Sequence, residues 1–212
     1  MKTSTFRSVL LGIVTAAIVL VAPTAMAMKL QRQNLAQLIA GSESILSGTV
    51  KTVTDGIDDS GVPYTEVTIA VHSVAKGKAK VEAEKDYTFR QFGLLTPRTM
   101  ANGHKLLAVS PDGFPRWREG ETVVAFMYKP ASRTGLQTTA GMGQGKFSLV
   151  NGHLVNEFDN AGLFDGMEID SDVLSSAEQN MIMNPGAVDA QVFMGLVSRA
   201  VTEGWITTGE MR

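Results

Sequence analysis

Apolar and polar residues alternate along much of the chain with the period of two that is typical of β-strands. The clearest example lies at residues 64–74. One face of this strand is predicted to carry Thr65, Val67, Ile69 and Val71, and the other face Glu66, Thr68 and His72. A strand of this kind buries one face in a core and exposes the other, as strands of antiparallel sheets do.

Similar patterns predict further strands and the turns between them. Strands are expected at residues 45–54, 87–91, 121–128, 136–139, 146–150 and 153–158. Gly48 interrupts the first of these strands, where a β-bulge is expected. Asn151-Gly152 is a typical two-residue hairpin turn, and residues 55–61 have turn composition. The glycines of residues 141–145 indicate a bend or a close approach of two backbone segments.

Apolar residues follow helical spacing near both ends of this strand-rich region. Residues 30–40 predict a short amphipathic helix, and residues 188–201 carry an apolar stripe that includes Val192, Phe193, Leu196 and Val197. The stripe is predicted to dock on a barrel formed by the strands, with partner binding as the alternative. The predicted fold class is therefore mainly β: a small antiparallel, OB-like barrel with one N-terminal and one C-terminal helix packed outside. The barrel domain is placed at residues 28–184 and the C-terminal helical segment at residues 185–212.

The first 27 residues have the pattern of a signal peptide. Lys2 and Arg7 supply positive charge before an uncharged apolar run at residues 9–22, and Ala25-Met26-Ala27 places small residues where a signal peptidase requires them. The run is shorter than the roughly 20 residues that span a bilayer. Cleavage after Ala27 is expected, with an uncleaved anchor as the alternative. The prediction is a periplasmic or secreted protein that does not span a membrane.

Four segments resemble a family of secreted bacterial proteins of unknown function. They are residues 43–53 (ESILSGTVKTV), 64–77 (YTEVTIAVHSVAKG), 114–128 (FPRWREGETVVAFMY) and 143–147 (GQGKF). The strand–turn–strand run that ends at Lys76-Gly77 is more distantly similar to the OB-type barrel of netrin-like modules, which include tissue inhibitors of metalloproteinases. This resemblance implies a fold and no function. Those inhibitors act through an N-terminal cysteine, and this chain contains no cysteine.

Composition and charge narrow the classes of function. Because no cysteine is present, thiol nucleophiles, thiolate metal sites and disulfides are excluded. The chain has 19 Lys and Arg against 21 Asp and Glu, which disfavours nucleic acid as a partner. Residues 28–146 carry 15 basic and 11 acidic side chains, whereas residues 147–212 carry 2 basic and 10 acidic ones. We interpret the second part as a solvated acidic surface, with an interaction face as the alternative.

No catalytic or metal-binding motif is recognised in the sequence. Metal-ligand spacing is lacking among the histidines, which are His72, His104 and His153. Acidic residues cluster at 55–59 and 157–172 without the EF-hand spacing, so solvated loops are the interpretation and calcium binding is the alternative. Residues 141–146 (GMGQGK) do not form a P-loop, because Phe147 follows the lysine where Ser or Thr is required. No cofactor and no metal ion is expected.

The loop of residues 112–120 (DGFPRWREG) is the candidate binding site. Its residues Phe114, Arg116 and Trp117 combine aromatic rings with a cation, which is the usual composition of binding hot spots. Large aromatic rings also fill small cores. The pattern therefore favours an inward-facing plug at one end of the barrel, with a binding surface as the alternative.

The function predicted from these patterns is that of an exported, non-enzymatic binding protein of the bacterial envelope. Its expected partner is a protein or an envelope glycan. The alternative is a secreted hydrolase whose site is assembled from residues that are far apart in sequence.

Overall fold

The strand pattern forms a seven-stranded antiparallel sheet in the computed structural model, which describes residues 31–78, 80–100, 102–184 and 186–212. The strands are Ser44–Ile57 (β1), Pro63–Lys76 (β2), Asp86–Phe92 (β3), Arg98–Thr99 (β4), Lys105–Leu106 (β5), Thr122–Met127 (β6), Lys146–Val150 (β7), His153–Asn156 (β8) and Val188–Asp189 (β9). The order in the sheet is β3-β2-β1-β6-β7-β8-β9, and β4 pairs with β5 as a separate hairpin. The prediction of a mainly β, antiparallel fold is confirmed.

Helices lie near both ends of the described part of the chain. They are Leu35–Gly41 (α1), Ser176–Met183 (α2), Ala190–Thr202 (α3) and Trp205–Thr208 (α4), with 3-10 turns at Met142–Gly145 and Ser171–Val173. Helix α1 begins at Leu35 because Asn34 and Gln37 form a capping box, in which each side chain accepts the backbone N–H of the other at 3.0 Å. Helix α2 was not predicted, although Ser175 and Glu178 form the same kind of box.

The long β1–β2 hairpin is the centre of the sheet. Strand β1 runs to Ile57, three residues beyond its predicted end, and the turn follows it. Its register against β2 shifts between Ser47 and Gly48, so the predicted bulge is confirmed. A Cβ atom at Gly48 would lie 2.3 Å from the carbonyl oxygen of Ala70. Only glycine fits at this point of the hairpin without a shift of the backbone.

Apolar side chains cover both faces of the sheet and form two clusters. The helix-side core includes Phe126, Phe147, Leu154, Phe193, Leu196 and Trp205. The inner core comprises Leu46, Val50, Val67, Ile69, Val71, Val81, Phe89, Trp117, Val123, Ala125 and Met127. Strand β6 serves both cores, because Val124 and Phe126 face the helices whereas Val123, Ala125 and Met127 face the inner core. This double burial explains the continuous apolar run of its sequence.

The predicted barrel is only partly matched by this sheet. Strands β3 and β9 are its edges, and no ladder among the described residues pairs them. One backbone hydrogen bond, from Gln137 N–H to the Arg90 carbonyl at 2.7 Å, joins β3 to the segment that follows β6. In that segment the predicted strand at residues 136–139 is reduced to an isolated bridge between Met127 and Thr139. The described sheet is therefore antiparallel, and its edge strand β3 contacts the connection after β6 without a closed ladder.

The predicted C-terminal helix corresponds to α3, which begins after Asp189. The Asp189 carboxylate accepts the N–H groups of Gln191 and Val192 at 2.9 and 3.0 Å, so that the first turn is capped. Phe193 is fully buried, with its ring centroid 5.1 Å from that of Phe147. Residues 31–212 form one compact unit, so α3 and α4 share their core with the sheet.

The predicted signal peptide, residues 1–27, lies outside the described residues. None of the helices from residue 31 onward is long and apolar enough to cross a membrane.

Candidate ligand-binding cleft

A cleft of about 400 Å³ lies at one end of the inner core. It opens between the ends of β2 and β3, the arm of residues 94–109 that contains the β4–β5 hairpin, and the loop of residues 112–120. Its apolar lining includes Val53, Leu94, Leu95, Val109, Pro115 and Trp117. Its polar lining includes Thr65, Gln91, Ser110, Arg116 and Arg118. A concave apolar surface with a few polar groups is the usual form of a ligand site.

The backbone of Arg116 is held on both sides by charged residues. Its N–H donates to the Glu157 carboxylate at 2.5 Å, and its carbonyl accepts a hydrogen bond from Lys146 Nζ at 2.7 Å. Charge-assisted hydrogen bonds of this kind are stronger than neutral ones. The position of Arg116 in the loop is therefore fixed, while its side chain is exposed.

Lys146 is a buried cation beneath the loop, with a side chain that is 4% exposed. Its Nζ donates to both carboxylate oxygens of Glu121 at 2.7 Å, and it lies 5.5 Å from the centre of the Trp117 ring. A buried ion pair is stable only when its remaining polar atoms are satisfied. Ser148 and the Arg116 carbonyl supply these further contacts, so the pair orders the loop.

Trp117 belongs to the inner core and is 8% exposed. Its ring packs edge-on against Phe89, with centroids 5.2 Å apart, and its indole N–H donates to Gln91 Oε1 at 3.2 Å. The Gln91 amide in turn donates to the Pro115 carbonyl at 3.1 Å. Strand β3 thus fixes the ring and the loop together. The ring fills the end of the inner core, and part of its surface faces the cleft.

Two cationic side chains line the cleft. Arg116 and Arg118 line it, and no acidic residue does. Neither guanidinium forms an ion pair with any residue that the structure describes, whereas Arg90, Arg98 and Arg199 each have a carboxylate partner. The arrangement can bind an anionic group next to an apolar one.

The arm of residues 94–109 is tied to the sheet by Asp55. Its carboxylate accepts the N–H groups of Leu95 at 2.7 Å and Thr96 at 2.9 Å, and it pairs with Arg98. Burial of Asp55 opposes ionisation, but the hydrogen bonds from Arg98, Thr96 and Leu95 outweigh it and hold the pKa of this carboxyl below its ordinary value. The ionised form of Asp55 therefore stabilises this wall of the cleft.

We expect Asp55→Asn to lower the free energy of unfolding at pH 7 by about 1–3 kcal/mol, because it removes charge-assisted hydrogen bonds. Since the folded-state pKa is depressed, this contribution is present above the unfolded-state pKa of about 3.9 and is lost as pH falls through the folded-state value. The wild-type and variant proteins should therefore converge in acid. Denaturant unfolding from pH 7 to pH 2.5 measures the difference.

Asp59→Asn is the matched control, because Asp59 lies exposed in the following turn. It should leave stability within about 0.5 kcal/mol at either pH. In Asp55→Asn, the amides of Leu95 and Thr96 should also lose protection from hydrogen exchange. A pH-independent loss of stability, or unchanged protection of these two amides, would contradict the assigned role of Asp55.

The structure divides the three predicted site residues between two cavities. Arg116 and Trp117 line the cleft, whereas Phe114 lines a neighbouring cavity of about 410 Å³ together with Tyr128 and Leu136. The sequence did not indicate the walls formed by β2, β3 and the arm. A signal was present, because no acidic residue occurs between Asp86 and Asp112.

The other candidate groups of the sequence lie apart from the cleft. The histidines are exposed at separate places: His72 on β2, His104 between β4 and β5, and His153 on β8. No group of three His, Asp or Glu side chains that could hold a metal ion occurs in the described part of the chain. In the glycine-rich segment, a Cβ at Gly145 would lie 2.1 Å from the Ala140 carbonyl oxygen, so the predicted close approach is confirmed.

Comparison with known proteins gave no match: no family model fits the chain, and neither a curated protein nor a solved structure is detectably similar.

Proposed function

We propose that the chain is an exported, non-enzymatic binding protein of the bacterial envelope, with the cleft beside Arg116 as its ligand site. The observation that carries this proposal is that Arg116 has a fixed backbone and an exposed side chain. The Arg116 backbone is held by Glu157 and Lys146, while its guanidinium is exposed beside an apolar cleft. A fixed backbone reduces the entropy that is lost when the side chain binds a partner.

The contact between β3 and the connection after β6 supports a ligand site at the end of the inner core. We propose that β3, β2, β1 and β6 form a partly open, OB-like barrel, which the hydrogen bond from Gln137 to Arg90 favours. The cleft would then lie at the mouth of this barrel, a common place for ligands. The expected partner is a protein or an envelope glycan.

The pattern of residues 1–27 supports export of the chain. Cleavage after Ala27 gives a mature protein that begins at Met28, which N-terminal sequencing of the native protein checks.

Obstruction of the cleft tests the proposed function. Ala108 is exposed on the wall of the cleft, so that Ala108→Trp would place a large ring in the opening without disturbing the core. We expect this variant to bind purified native envelopes at least about 10-fold more weakly than the unmodified protein, as loss of a central contact does. Co-sedimentation of the labelled mature protein with envelopes measures the binding.

Ala161→Trp is the matched control. Ala161 is exposed, lies outside the cleft and receives the same side chain, so general stickiness of a surface tryptophan affects both variants equally. Thermal melting should be the same for the two variants. Equal binding of envelopes by Ala108→Trp and Ala161→Trp would show that the cleft is not the site.

A further inference from the structure

The ligand of the cleft can be narrowed by charge. Arg116 and Arg118 bring two positive charges to its lining, and none of the lining residues is acidic. By contrast, Arg90 on β3 and Arg98 on β4 have carboxylate partners within the chain. The two cleft arginines have no such partner among the described residues. A complementary ligand therefore carries carboxylate or phosphate groups.

The apolar wall narrows the ligand further. Leu95 is 52% exposed and Val109 is 38% exposed, so the arm presents two large apolar side chains at the cleft. A volume of about 400 Å³ holds one or two side chains. The anionic ligand thus carries an apolar group of side-chain size next to its charges.

The polar groups that line the cleft favour a peptide over an acyl chain as the ligand. Thr65 is 5% exposed, lines the cleft and has no side-chain hydrogen bond to a described residue, and Ser110 also lines the cleft. An acyl chain would remove water from these hydroxyls and offer no replacement, which is costly. A peptide backbone carries N–H and C=O groups that can bond to both.

We propose that the cleft binds an acidic peptide segment of a partner protein, with one apolar side chain inside and flanking carboxylates on Arg116 and Arg118. This inference rests on the proposed binding function and names its class of ligand. The occupant is expected to be extended, because an extended chain places alternate side chains on opposite sides and leaves its backbone groups free to bond.

The test uses a labelled peptide amide, Gly-Glu-Leu-Glu-Gly, and its neutral counterpart Gly-Gln-Leu-Gln-Gly. Fluorescence anisotropy with the mature protein should show at least about 10-fold tighter binding of the acidic peptide. Arg116→Gln with Arg118→Gln should reduce this preference to about 1-fold, since both side chains are exposed and the backbone contacts of Arg116 are kept. Lys78→Gln with Arg133→Gln is the control pair and should preserve the preference, because both of these cations are exposed outside the cleft.

Further probes separate failure of this inference from failure of the proposed function. Equal affinity for the two peptides would show that the cleft does not select an acidic ligand. Binding of dodecanoate or of phosphatidylglycerol vesicles that depends on Arg116 and Arg118, without binding of the acidic peptide, would assign the cleft to lipid and leave the binding function in place. If no probe binds and Ala108→Trp leaves envelope binding unchanged, the cleft is not a ligand site and both proposals fail.

Discussion

A chain that ends at Asn184 should fail to fold cooperatively. The truncation removes α3 and α4, which bury Phe193, Leu196, Val197 and Trp205 almost completely. Burial of each such side chain contributes about 1.5–3 kcal/mol, so that four of them approach the whole stability of a typical domain, about 5–15 kcal/mol. Removal would also uncover Phe126 and Phe147 on the sheet. Circular dichroism during urea titration should show no sharp transition.

Point substitutions in the full-length chain separate docking from a general effect of truncation. Phe193→Ala should lower the free energy of unfolding by about 3–5 kcal/mol through the cavity it leaves. Gln191→Ala, on the exposed side of the same helix, should change it by less than about 0.5 kcal/mol. If the truncated chain unfolds like the full protein and Phe193→Ala is neutral, the stripe on α3 is not docked and is available to a partner.

Trp117→Ala should destabilise the protein by roughly 3–5 kcal/mol, the range for loss of a buried aromatic ring. The ring is 8% exposed and packs on Phe89, and its removal also leaves Gln91 without the indole donor. The cavity would lie beside the buried pair of Lys146 and Glu121, whose contacts depend on the loop position. Guanidinium unfolding followed by far-ultraviolet circular dichroism measures the change.

Two further variants show how much of this loss of stability comes from the hydrogen bond of Trp117 and how much is specific to its position. Trp117→Phe keeps most of the packing and removes the hydrogen bond, so a loss of about 1–2 kcal/mol is expected. Phe114→Ala should cost less than Trp117→Ala, because Phe114 is half-buried and lines the neighbouring cavity. If Trp117→Ala left the free energy of unfolding unchanged, the ring would be part of a binding surface and not a plug of the inner core.

Strand pairs that are local in sequence were predictable because alternation and turn chemistry agree. In β2, Thr65, Val67, Ile69 and Val71 are all buried, as the pattern predicts. The hairpin at Asn151-Gly152 forms because both residues take positive φ angles, 50° and 82°, which these residue types tolerate. The predicted alternation of faces therefore needed no information from the rest of the chain.

Features that depend on contacts distant in sequence were not predictable. The small hairpin of β4 and β5 lies in a stretch rich in Pro and Gly, and it is held by Asp55, about 40 positions earlier in the chain. Helix α2 was missed because its apolar face is narrow, with Met181 as its one buried apolar side chain. The pairing of the sheet edges could not be predicted from alternation, which gives the face of a residue and not the partner of an edge strand.

The candidate site was half predictable for the same reason. Composition singled out Arg116 and Trp117, because aromatic and guanidinium groups stand out in a short loop. The opposing walls come from Thr65, Leu95 and Val109, which are ordinary residues in sequence and meet the loop only in the fold. Phe114 shares the loop and still lines the other cavity, since adjacent loop residues need not face the same way.

Strand β7 constrains how this protein can diverge. Lys146 and Phe147 are neighbours that point to opposite faces, the first toward Glu121 and the loop, the second into the core beneath α3. An insertion or deletion of one residue before them would exchange the two faces, placing a charge among aromatic rings and a phenyl ring against a carboxylate. None of the described residues in the arm of residues 94–109 belongs to either core. Homologous chains should accordingly vary in length in the arm and keep β7 free of insertions.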